Sequence, residues 1–107
     1  MTRKEKMNAL LINPESQTIE SIQIEGHDDI IRLVGYDTVT SDEINADGDR
    51  LFFDEECFLR GTKGRFQIDN LIPVSGKAII AGTGDDGTSL SDVESSIDNI
   101  SARIRYL

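Results

Sequence analysis

The spacing of apolar and polar positions along this chain predicts strands first and helices second. Asn8 to Ile12 and Thr18 to Ile24 read as two strands, with Asn13-Pro14-Glu15-Ser16 supplying the turn between them. In the second strand Ile22 and Ile24 alternate with Gln23, as a half-buried strand requires, and Ile19 marks a shift of face near its start. His27 to Val34 then reads as a short helix, with acids in its first turn and Gly35 as its stop. Thr38 to Ile44, rich in β-branched residues, is followed by the turn signal Asn45-Ala46-Asp47-Gly48 and the strand Arg50 to Phe53, which predicts a β-hairpin. Gly61 to Gly64 opens a loop, and the apolar run Lys77 to Ala81 suits a buried strand ended by the turn Gly82 to Gly87.

The C-terminal segment carries the longest periodic pattern. Ser91-Asp92-Val93-Glu94 has the spacing of a capping box, in which a Ser hydroxyl and a Glu carboxylate satisfy free first-turn amides, so a helix is expected over Ser91 to Arg105. Leu90, Val93, Ile97, Ile100, Ile104 and Leu107 alternate spacings of three and four, which makes a narrow apolar seam. That seam serves either to cover the chain's own sheet or to contact a second copy or a partner, so Val93, Ile97, Ile100 and Ile104 are candidate contact residues and a homodimer through this helix is open. Together these elements predict an α+β fold: a small, mostly antiparallel sheet with one short helix and one longer C-terminal helix.

Composition narrows the function classes. At 107 residues the chain suits one domain, expected over residues 7–107, after a flexible extension at residues 1–6 that precedes a second methionine, Met7. Apolar residues make up 37%, or about 45% once the nine glycines are added, which is the composition of a folded protein and not of a disordered one. The net charge of −9, from 20 acidic against 11 basic residues, repels nucleic-acid phosphates and anionic membranes and suits a basic partner surface. Direct nucleic-acid and membrane partners are therefore not expected. With Cys57 as its one cysteine the chain forms no internal disulfide, which suits the cytoplasm, and no apolar stretch reaches the length of a signal core or a membrane span.

Several segments resemble chemical motifs and each lacks a part. Glu43 to Asp54 approaches the EF-hand calcium loop, but its first ligand is Glu43 in place of Asp and its last is Asp54 in place of the bidentate Glu. His27, the one histidine, sits at a helix start where a polar side chain caps free amides; a nucleophilic pair with Cys57 would need His27 itself, outside any catalytic motif. Gly82-Thr83-Gly84-Asp85-Asp86-Gly87 has the glycines of a phosphate loop without its lysine, and two aspartates that repel phosphate. No catalytic residue, metal ligand or cofactor is assigned. Arg60-Gly61-Thr62-Lys63-Gly64-Arg65 is different, because three cations in six residues of so acidic a chain either relieve repulsion from Asp54, Glu55 and Glu56 or hold a phosphate or an acidic partner. Arg60, Lys63 and Arg65 are accordingly candidate partner-binding residues.

With Leu33-Val34-Gly35-Tyr36 after the short helix, Leu51-Phe52-Phe53-Asp54-Glu55-Glu56 before Leu59-Arg60-Gly61, and Gly76 to Gly82 followed by Asp86-Gly87, residues 7–90 resemble the bacterial and phage family called domain of unknown function 3846. The family shows an acidic turn after an aromatic or aliphatic strand, then a Lys/Arg-Gly step and a glycine-flanked apolar strand. This chain departs from it in having a single glycine at Gly35 and no proline in the Thr62-Lys63-Gly64 loop, so the resemblance does not account for the basic loop. It implies an α+β fold and a phage or mobile-element setting, and it supplies no activity. The expectation is a small acidic binding or regulatory module that acts by protein–protein contact with an unidentified partner. An acidic nucleic-acid mimic that inhibits a DNA-binding protein, or a small enzyme acting on a phosphate-bearing ligand, are the alternatives.

Overall fold

The computed structural model describes residues 6–84 and 89–107. Its strands are β1 (Met7–Asn13), β2 (Thr18–Ile24), β3 (Val39–Glu43), β4 (Asp49–Asp54), β5 (Arg65–Ile68), β6 (Val74–Ser75), β7 (Ala78–Thr83), β8 (Leu90–Ser91) and β9 (Ile104–Tyr106). Helix α1 (His27–Val34) lies between β2 and β3, α2 (Ile97–Arg103) between β8 and β9, and a 3₁₀ turn (Cys57–Leu59) follows β4. The main sheet runs β2-β1-β7-β4-β3, with β8 also on β7, and a second sheet runs β6-β5-β9. Every pairing is antiparallel. The α+β class and its antiparallel sheet are as the sequence predicts.

The organising strand is β7, because Ala78-Ile79-Ile80-Ala81 is buried throughout. Strand periodicity sends alternate residues to opposite faces, and a continuous apolar run is what a strand covered on both faces requires. Ala78 and Ile80 join Leu10, Ile12, Leu51, Phe53, Phe66, Ile68, Val74 and Ile100 in one core. Ile79 and Ala81 join Ala9, Ile24, Ile30, Val34 and Phe52 in the other. Helix α1 therefore covers one face of the main sheet through Ile30 and Val34, and the small sheet with Ile100 of α2 covers the opposite face.

Helix α1 forms over the predicted residues and stops at Gly35, whose backbone is left-handed at φ 99° and whose N–H donates to Ile31 O at 2.8 Å. Its start differs from expectation. Gly26 occupies the capping position without any side-chain cap, and His27 lies exposed, its ring edge-on to Phe52 with centroids 6.3 Å apart. Asp29 instead ties the helix entry, its Oδ2 accepting the Glu25 N–H at 2.7 Å.

The C-terminal helix is the main correction. Ser91 does not begin a helix: Leu90 and Ser91 pair with Thr83 and Gly82, and the next residues run extended across the end of the sheet. Gly82 permits this close approach, since a Cβ there would lie 2.2 Å from Asp92 O. Asn8 N donates to Asp92 Oδ1 at 2.8 Å, Val93 N donates to Asn8 O at 2.9 Å, and the amides of Glu94 and Ser95 both donate to Asp49 at 2.8 Å. Those amides, which the first turn of a helix would leave free, already have a fully buried carboxylate as acceptor. Helix α2 starts only after Ser96, whose Oγ accepts the Asn99 N–H at 3.0 Å, and it spans seven residues. It ends at Arg103 because Ile104 to Tyr106 pair with β5. Four of the six seam residues thus reach one core from an extended segment, a helix and a strand in turn, with Ile100 fully buried and Val93, Ile97 and Ile104 partly buried, while Leu90 packs on the other core and Leu107 is exposed.

Asp49 is the joint of this end of the molecule. Its Oδ1 accepts Glu94 N, and its Oδ2 accepts Ser95 N at 2.8 Å, Ser95 Oγ at 2.6 Å and Asn45 Nδ2 at 3.0 Å. Asn45 Oδ1 in turn accepts the amides of Asp47 and Asp49, which folds the turn that had resembled a calcium loop. Burial alone pushes the Asp49 carboxyl up, but the donors from Glu94, Ser95 and Asn45 together outweigh it and hold it below the ordinary carboxylate value.

Candidate functional site

The basic loop is built on Asp54, the last residue of β4, whose side chain is only 3% exposed. Its carboxylate accepts Thr38 Oγ1, Arg60 Nε at 2.9 Å and Glu56 N at 3.0 Å. Arg60 spreads further, donating to Thr38 Oγ1 at 3.0 Å and Glu56 Oε2 at 3.2 Å while its guanidinium lies 4.3 Å from the Tyr36 ring centroid. Burial pushes the Asp54 carboxyl up, and the bonds from Arg60, Thr38 and the Glu56 amide more than reverse it, so its pKa lies below the ordinary value. Arg60 is therefore committed to the fold on all sides, fastening the segment after β4 to the segment after α1.

That fastening fixes the 3₁₀ turn. Cys57 points inward, where its Sγ accepts the Ser75 N–H at 3.4 Å, and the next two side chains point out. Phe58 is 50% exposed and Leu59 81% exposed. Arg65, at the start of β5, lies with its guanidinium 5.2 Å from the Phe58 ring centroid, and its carbonyl accepts the N–H of Leu107, another exposed apolar residue. Phe58, stacked by Arg65, and its neighbour Leu59 are two of the four large hydrophobic side chains most exposed among the described residues, and Leu107 joins Arg65 through its backbone.

Lys63 belongs to a different surface. Gly64, at φ 85°, rests directly on the β1–β2 turn, so close that a Cβ would lie 2.5 Å from Glu15 N and 2.6 Å from Pro14 C. Its carbonyl accepts Gly76 N at 3.1 Å, and the Thr62 and Ser75 hydroxyls meet at 2.9 Å, which clamps the Lys63 loop to the β6–β7 turn. A cleft of about 550 Å³ opens beside this clamp, lined by Asn13 and Glu15, by Arg32 to Tyr36 from the end of α1, and by Thr62, Lys63, Gly76 and Lys77.

The three cations singled out by sequence therefore part company: Arg60 is structural, Lys63 faces the cleft and Arg65 the apolar patch. Lys77, Arg32, Phe58 and Leu59 were missed. The sequence puts Lys63-Gly64 in a loop and Lys77 at the head of an apolar strand, and only the pairing of β5 with β6 brings them together. Cys57 and His27 do not form a pair, one buried against Ser75 and the other exposed against Phe52. The Asp85, Asp86 and Gly87 portion of the glycine-rich turn lies outside the described residues, as does the N-terminal extension up to residue 5. No helix among the described residues is long and apolar enough to cross a membrane.

No family model, curated protein or solved structure matches this chain.

Proposed function

We propose that this chain is a small, non-catalytic binding or regulatory module of the cytoplasm that acts by protein–protein contact through the Cys57–Leu59 turn and Arg65. The observation that carries this is the adjacent exposed pair Phe58 and Leu59 on a turn held by the buried Asp54 and its partner Arg60. An apolar pair on a mobile loop loses side-chain and backbone freedom when it docks; one on a fixed turn loses less, so more of its burial appears as affinity. Burying a large apolar side chain is favourable by about 1.5–3 kcal/mol, enough for two such residues to act as the anchors of a modest interface. Arg65 beside Phe58 favours a partner whose apolar pocket is rimmed by carboxylates. A phage or mobile-element setting rests on the resemblance carried by residues 7–90.

Affinity capture from a lysate of the organism that carries the gene tests this. The Phe58→Ser/Leu59→Ser variant is expected to lose the captured protein while keeping the circular dichroism spectrum of the parent, and Arg65→Glu to weaken capture. Undiminished capture by the double variant would sink the proposal.

A further inference from the structure

We propose that the cleft between the end of α1, the β1–β2 turn and the clamped Lys63 and Lys77 loops binds a phosphorylated small molecule, with Lys63 and Lys77 as the phosphate ligands. The cleft is separate from the Phe58–Leu59 patch, and this inference does not rest on it. Its basis is a local inversion of charge. The chain as a whole stands at −9, with almost twice as many acids as bases, yet the cleft gathers Arg32, Lys63 and Lys77 against the single carboxylate of Glu15. The lining sums to +2, or to +1 once Arg32 is counted with its partner Asp29, and that sign suits a phosphomonoester, which carries about −1.5 to −2 at neutral pH.

The cations are also placed rather than merely nearby. Lys63 and Lys77 adjoin the two glycines whose backbones are bonded to each other, Gly76 N to Gly64 O at 3.1 Å, so their Cα positions are fixed relative to one another by the hairpin and the Thr62–Ser75 hydroxyl pair. Neither ammonium makes an ion pair or hydrogen bond among the described residues, whereas Arg60 and Arg103 are each paired with carboxylates. Two like charges carried on adjoining, bonded segments and exposed to solvent, with no carboxylate partner among the described residues, favour an anion beside them. Arg32, in the last turn of α1, also lines the cleft and is steadied by Asp29 at 2.9 Å.

Neutral donors complete the set. Asn13 Oδ1 already accepts the amides of Glu15 and Ser16, which leaves its Nδ2 as the group it offers to a ligand. Glu15, the one acid, accepts from hydroxyls, so a phosphate on a polyhydroxylated body fits better than a bare anion. A volume of about 550 Å³ accommodates such a molecule, since small-molecule sites commonly span about 300–1,000 Å³.

Amide chemical shifts of the ¹⁵N-labelled full chain, titrated with ribose 5-phosphate, ribose and inorganic phosphate, and separately with vesicles containing a phosphoinositide, test the proposal. Saturable shifts at residues 62–64 and 76–77 are expected with ribose 5-phosphate, smaller ones with inorganic phosphate and none with ribose. The Lys63→Ala/Lys77→Ala variant, whose substitutions remove only exposed ammonium groups, is expected to weaken binding tenfold or more with the remaining spectrum unchanged. Absence of shifts at millimolar ribose 5-phosphate, equal binding by the double variant, or a response to vesicles alone would overturn it. If the double variant misfolds, Lys63→Gln and Lys77→Gln tested singly decide: each must weaken binding in a folded spectrum, and unaltered affinity in both refutes the assignment.

Discussion

Replacing Asp49 by Asn changes one atom at the joint between the β3–β4 turn and the C-terminal segment, and the consequence follows from which atom. Every group bonded to the Asp49 carboxylate is a donor: Glu94 N at one oxygen, and Ser95 N, Ser95 Oγ and Asn45 Nδ2 at the other. An Asn there retains one acceptor and sets an NH₂ against the donors around the second, in a site with no exposure to water. Only Ser95 Oγ can turn to accept. A hydrogen bond to a charged acceptor contributes about 1.5–3 kcal/mol and an unsatisfied buried donor costs about 1–3 kcal/mol, and these overlap, so a net loss of about 2–4 kcal/mol is expected. With a urea slope near 1.5 kcal/mol/M, a typical value for a chain of this size, the unfolding midpoint falls by about 1.3–2.7 M. The difference is also pH-dependent. Because the Asp49 pKa is depressed in the folded protein, its contribution is present above the unfolded carboxylate value near 3.8 and is lost as pH falls through the lower folded value. Urea titrations of both proteins at pH 7 and at successively lower pH, followed by circular dichroism, measure this. A midpoint shift under about 0.3 M at pH 7, or a difference that does not narrow in acid, would refute the role assigned to Asp49.

Arg60→Gln is expected to lower stability at neutral pH and to matter less in acid, because Asp54 loses the partner that keeps its pKa low and, once protonated, no longer needs it; equal losses at pH 7 and pH 3 would contradict this. Gly64→Ala forces a side chain into a left-handed position and onto the Pro14–Glu15 backbone, and should cost more than about 1 kcal/mol; an unchanged melting temperature would count against the clamp. Ile100→Ala empties a fully buried site and should cost about 2–5 kcal/mol, whereas Leu107→Ala, at an exposed position, should leave stability within about 0.5 kcal/mol; denaturant titration compares them.

Local signals made most of the fold legible. The β1–β2 and β3–β4 hairpins were marked by turn residues at their centres, α1 by its glycine stop, and β7 by an apolar run that only a strand covered on both faces needs. What escaped notice depends on contacts distant in sequence. The Ser91 to Glu94 pattern satisfies the rules of a helix start, but the Asn8 carbonyl and the Asp49 carboxylate accept its backbone amides from more than forty residues away, and propensity yields to that pairing. Strand β9 is Ile-Arg-Tyr, too short to stand out, and exists because β5 offers an edge. The basic loop was visible as a cluster of charge, yet the fates of its three cations were not, since they depend on Asp54 and Tyr36 for Arg60, on the β6–β7 turn for Lys63 and on Phe58 for Arg65. Phe58 and Leu59 are not singled out by the sequence because apolar identity does not reveal which side of a 3₁₀ turn faces out.

The claim that the Cys57–Leu59 turn is the contact surface is tested most directly by placing a photo-crosslinking amino acid at Leu59 and, as a control, at the exposed Gln23 on β2, and irradiating each in the cells that carry the gene. A discrete protein adduct from position 59 with none from position 23 is the predicted result. An adduct from position 23 with none from position 59 would contradict it.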